Sequence, residues 1–184
     1  MPSFFLTSSS QIARTLLAGE TGFIADMATL YTPADAGVTL SGSSRLMIEG
    51  TLASDLTAAL RIQDTTDDAV VTLGLDGSIL SMRSPAIEGT LNDEFYLNNA
   101  GTIQSVEEAI VLSAPSVVGV VPDFHITNSG RIQSNSDGTT EATIELTLPS
   151  GGIVDLANTG LILNGGMGGV LAVVGGRLDL TAWI

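Results

Sequence analysis

The sequence predicts an all-β protein, a single β-solenoid of about six coils, on three observations: a recurring register, a hydrophobic period of two within it, and an aliphatic composition. Of its 184 residues, 44% are hydrophobic but only 4% aromatic, and 21 are glycine. Such a chain can fill a narrow core with branched side chains and has few rings for a wide one. Its length suits one domain with a full core.

The register is clearest in Phe95-Tyr-Leu-Asn-Asn-Ala-Gly-Thr-Ile-Gln-Ser105, Phe124-His-Ile-Thr-Asn-Ser-Gly-Arg-Ile-Gln-Ser134 and Val154-Asp-Leu-Ala-Asn-Thr-Gly-Leu-Ile-Leu-Asn164. Weaker copies precede these at Gly77, Gly50 and Ala28, giving successive units of 22, 27, 24, 29 and 30 residues. Two residues after the small residue runs a column of Leu30, Leu52, Ile79, Ile103, Ile132 and Ile162. Four residues before it run Ile24, Leu46, Leu73, Leu97, Ile126 and Leu156. A second strand with its own alternation follows in each unit, as in Val38-Thr-Leu40, Leu60-Arg-Ile62 and Ile110-Val-Leu112. Alternation with period two places every other residue on one face of a strand. A unit built this way buries its apolar face only by stacking on its neighbours, so each is one coil. At about 4.8 Å per coil, six coils make a rod about 29 Å long.

The small residue is expected to turn the chain between strands with positive φ, where a Cβ is costly. Two positions before it the register reads Ile48, Leu75, Asn99, Asn128 and Asn158. Amides stacked at strand spacing can bond along the column, since each carries donors and an acceptor, so Asn99, Asn128 and Asn158 are read as a structural ladder.

A solenoid leaves an open strand edge at each end, and those edges need covering. Residues 1–20 are read as an N-terminal cap, with a short helix over Ser10–Gly19 and, as the alternative, two strand turns. Ser10 would be its N-cap, Ile12 and Leu16 lie one turn apart, and Gly19 follows the end. Residues 21–180 form the coils and 181–184 the C-terminal end, where Trp183 either covers the last coil or meets a partner. The proline-bounded apolar run Ala114–Pro122 is read as an additional buried strand.

Charge and missing residue types narrow the function classes. Twenty acidic residues stand against six arginines and no lysine, a formal charge of −14, so a nucleic-acid backbone would be repelled. The absence of cysteine excludes disulfides, thiolate metal sites and a cysteine nucleophile. No basic start with a following apolar stretch and no run of 18 apolar residues occurs, so neither a cleaved export signal nor membrane insertion is expected.

The units Leu97-Asn-Asn-Ala-Gly-Thr-Ile103, Ile126-Thr-Asn-Ser-Gly-Arg-Ile132 and Leu156-Ala-Asn-Thr-Gly-Leu-Ile162 resemble the N-x-G-x-I repeats of bacterial autotransporter passengers and hemolysin-type secreted proteins. The resemblance covers roughly residues 20–180 and is specific for architecture rather than activity. It implies a right-handed parallel β-helix and a secreted or surface role as adhesin, stalk or carrier. The G-G-x-G-x-D array of β-roll calcium sites is missing, so calcium binding does not carry over. The segment Leu178-Asp-Leu-Thr-Ala-Trp-Ile184 is similar to uncleaved C-terminal export signals.

Catalytic signatures are absent: there is no nucleophile elbow, phosphate loop, H-E-x-x-H helix or EF-hand loop. The outward file five residues before the small residue reads Phe23, Arg45, Thr72, Tyr96, His125 and Asp155. Tyr96, His125 and Asp155 should therefore stack on three successive coils. A ring beside an imidazole and a carboxylate suits a sugar chain, against the plain alternative of a solvated sheet face.

Glu88 and Glu145 share an outward register two coils apart with Val111 between them. Glycosidase carboxyl pairs stand about 5–5.5 Å or about 6.5–9.5 Å apart, but one of the pair needs a raised pKa that open faces rarely provide. Arg61 beside Glu88 reads as a cross-strand ion pair. Asp64-Thr-Thr-Asp-Asp68 has oxygen ligands for calcium but no repeating spacing.

The sequence is thus read as a single right-handed parallel β-helix of about six coils, exported and non-enzymatic, without cofactor or metal. Its expected partner is a surface glycan at Tyr96, His125 and Asp155, with self-association through the terminal coils. The alternatives are a polysaccharide hydrolase or lyase, and a spike or fibre component of a phage-like particle.

Overall fold

A computed structural model describes residues 3–65, 68–115, 121–136 and 141–181, without the side chains of Asp64 and Thr65. Ala114–Pro122 lies largely outside these residues and Trp183 wholly so. The described chain contains 21 short strands and no helix.

Strands β1 (Phe4–Leu6) and β2 (Arg14–Leu16) make a partial first turn. Six complete coils of three strands follow, beginning with β3 (Thr21–Ile24), β4 (Thr29–Thr32) and β5 (Val38–Ser41). Then come β6 (Arg45–Ile48), β7 (Thr51–Ser54) and β8 (Leu60–Thr65), and β9 (Ala69–Leu73), β10 (Ser78–Ser81) and β11 (Ile87–Leu91). The next coil comprises β12 (Phe95–Asn99), β13 (Thr102–Ser105) and β14 (Ile110–Ser113). It is followed by β15 (Asp123–Asn128), β16 (Arg131–Ser134) and β17 (Ile144–Thr147), then β18 (Ile153–Asn158), β19 (Leu161–Asn164) and β20 (Leu171–Val174). Strand β21 (Arg177–Thr181) opens a further turn.

Each strand pairs in parallel with its counterparts one coil away, giving three sheets. Sheet A runs β1-β3-β6-β9-β12-β15-β18-β21, sheet B runs β4-β7-β10-β13-β16-β19, and sheet C runs β2-β5-β8-β11-β14-β17-β20. The protein is a parallel β-solenoid of about six coils, as the repeat predicts.

Alternation decides what fills the interior. Leu30, Leu52, Ile79, Ile103, Ile132 and Ile162 pair directly from coil to coil, and all but Ile162 are fully buried. On sheet C, Val38, Leu60, Ile87, Ile110 and Ile144 form a second buried column. Burial of each such side chain contributes about 1.5–3 kcal/mol. The contribution exists only when the neighbouring coil is in place.

The glycine column has a different cause from the one expected. Gly50, Gly77, Gly101, Gly130 and Gly160 do not have positive φ, which among the described glycines falls at Gly19, Gly42, Gly151, Gly175 and Gly176. A Cβ on Gly101 or Gly130 would instead stand 2.1 Å from a carbonyl oxygen of the preceding coil. The side chain is excluded by the closeness of the turn beneath, not by the backbone angle.

The register also shifts in the weaker copies. Turns from sheet A to sheet B are two residues long at Glu49–Gly50 and Ala100–Gly101, but four long at Ala25–Ala28 and Gly74–Gly77. Counting back from the small residue therefore misplaces those copies by two residues. Ile24, Ile48 and Leu73 stack below Asn99, whereas Leu75 is a turn residue 83% exposed. In the outward file, Val70 rather than Thr72 precedes Tyr96, and Thr21 rather than Phe23 precedes Arg45.

The short N-terminal helix does not form. Ser10 bridges Leu30, and Arg14–Leu16 is a strand of sheet C. The Ser10 amide donates to the Thr29 carbonyl at 2.8 Å and the Arg14 amide to the Gly37 carbonyl at 2.9 Å. A helix of ten residues is marginal in water, and the open edges of β4 and β5 offer its backbone better partners. Ile12, which the helix would have buried, is 65% exposed.

The strand turn nevertheless covers the core. Phe4 and Arg14 occupy inward register positions below Gly22 and Val38, with the Arg14 guanidinium 6.0 Å from the Phe4 ring centroid. Gly22 leaves room for that ring, since a Cβ there would lie 2.5 Å from it. At the other end, Ile162, Leu171 and Val173 are only partly buried, and Leu180 is 49% exposed.

Candidate functional site

Sheet A presents the stripe marked in the sequence. Its strands β12, β15 and β18 are in register, so Tyr96 pairs with His125 and His125 with Asp155. Phe95, Leu97, Phe124, Ile126, Val154 and Leu156 are buried on the opposite side of the same strands. That burial fixes the stripe outward, because a slip of one residue would exchange core and surface.

The Tyr96 and His125 rings stack with centroids 4.7 Å apart and planes 12° from parallel. His125 Nδ1 lies 3.1 Å from Asp155 Oδ2. The Tyr96 hydroxyl donates to Glu94, which stands just before the strand. Stabilisation of the protonated phenol by that bond pushes the Tyr96 pKa up to about 12, with burial and the negative charges of Glu94, Asp68 and Asp123 acting in the same direction. One face of the Tyr96 ring is covered by His125, and the other looks along the column towards Val70. The stripe continues to Asp179, which Arg177 holds in an ion pair.

The amide ladder forms directly behind this face. Asn99 Nδ2 donates to Asn128 Oδ1 at 2.7 Å, Asn128 Nδ2 donates to Asn158 Oδ1 at 2.6 Å, and Asn158 Nδ2 donates to the Gly160 carbonyl at 3.2 Å. All three side chains are buried, and the carbonyl of each acceptor points to the coil before it. The ladder stops at Asn99 Oδ1, which has no partner because its neighbour in the preceding coil is Leu73.

The carboxylates weighed for catalysis are dispersed. Glu88, Val111 and Glu145 occupy successive rungs of sheet C, placing the two acids about 9.6 Å apart by rung spacing. Glu88 accepts from Arg61 Nε at 2.8 Å and Nη2 at 2.6 Å, and Glu145 accepts from the Ala142 amide at 2.9 Å. Burial raises the Glu108 carboxyl above its ordinary range, partly offset by a backbone hydrogen bond, and the charges of Glu141, Glu145 and Glu107 raise it further. Among the described residues no group of three or more His, Asp or Glu converges as a metal site. The described residues leave out Asp67 and the Asp64 side chain.

Sequence reasoning placed Tyr96, His125 and Asp155 together but missed Glu94 as the phenol's partner. Glu94 lies two residues before Tyr96, the same-face spacing of a strand, and that was the available signal. Comparison with protein-family models, curated proteins and solved structures finds no match for the chain.

Proposed function

We propose that this chain is a non-enzymatic structural and binding rod, displayed outside the cell, that contacts a surface glycan along sheet A. The observation that carries the reading is the outward stripe of Tyr96, His125 and Asp155, held in fixed geometry by strand register. A stacked aromatic edge followed by an imidazole and a carboxylate offers apolar contact and hydrogen bonding along one line. Successive sugar units of an extended chain can meet successive rungs of such a face. The N-x-G-x-I resemblance to autotransporter passengers and hemolysin-type secreted proteins supports the surface role. The commitment of Glu88 to Arg61 favours binding over hydrolysis at that pair.

Glycan-array binding by the purified chain tests the proposal. Binding should be lost in Tyr96→Ala with the fold retained by circular dichroism. Binding unchanged by that substitution would remove sheet A as the contact face.

A further inference from the structure

A second feature, on a different face, is independent of the sheet A stripe. In the inward file of sheet C, Gly89 stands between Ile62 and Leu112, where an aliphatic side chain would be expected. A Cβ at Gly89 would lie 2.6 Å from both Ile62 Cβ and the Ile62 carbonyl oxygen. The backbone of β11 therefore packs closely on Ile62 of the coil beneath. The pairing also breaks here, because Gly89 pairs with Ile62 while Leu91 pairs with Thr65. Thr90 thus opposes two residues of β8, and a bulge of this kind bends its strand and re-aims the side chains beside it.

Beside this close contact and the bulge lies a groove of about 490 Å³, lined by Arg61, Gln63, Glu88 and Thr90 together with Ile62 and Gly89. That volume lies in the range of about 300–1,000 Å³ typical of small-molecule sites. Val111 adds a partly exposed apolar surface.

The groove's chemistry selects a ligand class. Arg61 and Glu88 neutralise each other at 2.6 Å, so the described side chains lining the groove are charge-balanced in a chain of net charge −14. Among the described residues that line it, no cation is left over to hold a carboxylate or phosphate, and the Glu88 carboxylate is already engaged by Arg61. What remains is a set of planar or hydroxyl groups that donate and accept together: guanidinium, carboxylate, amide and the Thr90 hydroxyl, which shares a 3.2 Å hydrogen bond with the Ser113 hydroxyl and keeps further capacity. Adjacent hydroxyls on a pyranose both donate and accept, and the C–H face of its ring matches Val111.

We infer that this sheet C groove binds a single neutral sugar unit. The test is amide chemical-shift mapping with neutral monosaccharides and short neutral oligosaccharides, beside a uronate and an amino sugar of the same ring size. Neutral sugars should shift Gly89, Thr90 and Val111, and the charged analogues should not. Glu88→Gln should weaken binding about tenfold by removing a charged acceptor, and Thr90→Trp should abolish it by filling the groove. Both changes lie on the surface, and an unchanged spectrum elsewhere will report an intact fold.

Absence of shifts at those amides with every neutral sugar, or equal binding by Thr90→Trp, would overturn the inference. Tyr96→Ala separates the two sites: loss of array binding with the groove shifts retained supports both proposals. Array binding with a silent groove leaves only the first.

Discussion

Gly130 lies on Gly101 so closely that a Cβ on the former would stand 2.1 Å from the carbonyl oxygen of the latter. The obstacle is backbone in a stacked turn, which cannot move without shifting a whole coil. Gly130→Ala should therefore lower stability by about 1–3 kcal/mol or more in urea unfolding. Gly169, with open space around it, is the control, and Gly169→Ala should stay within about 0.5 kcal/mol of the parent. Equal midpoints for the two variants would refute the close-stacking account.

Asn128 is the middle rung of the amide ladder, accepting from Asn99 and donating to Asn158. Asn128→Ala leaves Asn158 Oδ1 without its donor and weakens the pairing of Asn99 Nδ2. A destabilisation of about 2–4 kcal/mol is expected, since each buried polar group left unpaired costs about 1–3 kcal/mol. Chemical denaturation measures it, and a loss below that of a surface asparagine would mean that the ladder is ornamental.

The Arg61–Glu88 pair is about one-third exposed on both sides. A double-mutant cycle with Arg61→Gln and Glu88→Gln should give a coupling of only about 0.2–1 kcal/mol, falling as salt is added. A larger, salt-insensitive coupling would show that the pair holds the coil together, and would make it unsuitable as a binding group.

Glu108 has its carboxyl pKa raised in the folded state, first by burial and then by neighbouring carboxylates. The folded protein therefore binds the proton more readily than the unfolded chain, and stability falls as pH rises through the folded pKa. Glu108→Gln should raise the melting temperature at neutral pH, with the gain vanishing below the ordinary carboxylate range. A gain that persists in acid would point to a cause other than ionisation.

Tyr96 should keep its proton up to a pH of about 12, because its hydroxyl donates to Glu94. Tyr31, bonded to Asp55 at 2.6 Å, is shifted in the same direction. Ultraviolet titration should show little phenolate near the ordinary tyrosine value of about 10. Glu94→Gln should move the Tyr96 titration down towards that value, short of it because burial, Asp68 and Asp123 still act, and should leave Tyr31 unchanged.

Much of this was legible because stacking makes sequence distance translate into space. The column from Leu52 to Ile162, the Tyr96–His125–Asp155 contact, the amide ladder and the Arg61–Glu88 pair all follow from one period-two alignment. Errors arose where local signals competed with a template. Ser10–Gly19 carries helix-end residues, yet its backbone joins strands already in place. Turn length was hidden because Gly74-Leu-Asp-Gly77 contains two glycines where the turns of other units have at most one. The sheet C groove was illegible because Gly89 shows nothing in sequence until its neighbours across the sheet are known.

The inward placement of Phe4 and Arg14 gives the rod a direction. A strand arriving at β1 or β2 meets a cation and a ring where an aliphatic interior is needed. One lying beside β19, β20 or β21 meets Ile162, Leu171 and Leu180, aliphatic side chains that are only partly buried among the described residues. The two ends of the described rod therefore differ: a repeat grafted beside β21 would meet an aliphatic rung, and one grafted beside β1 would meet a ring and a cation.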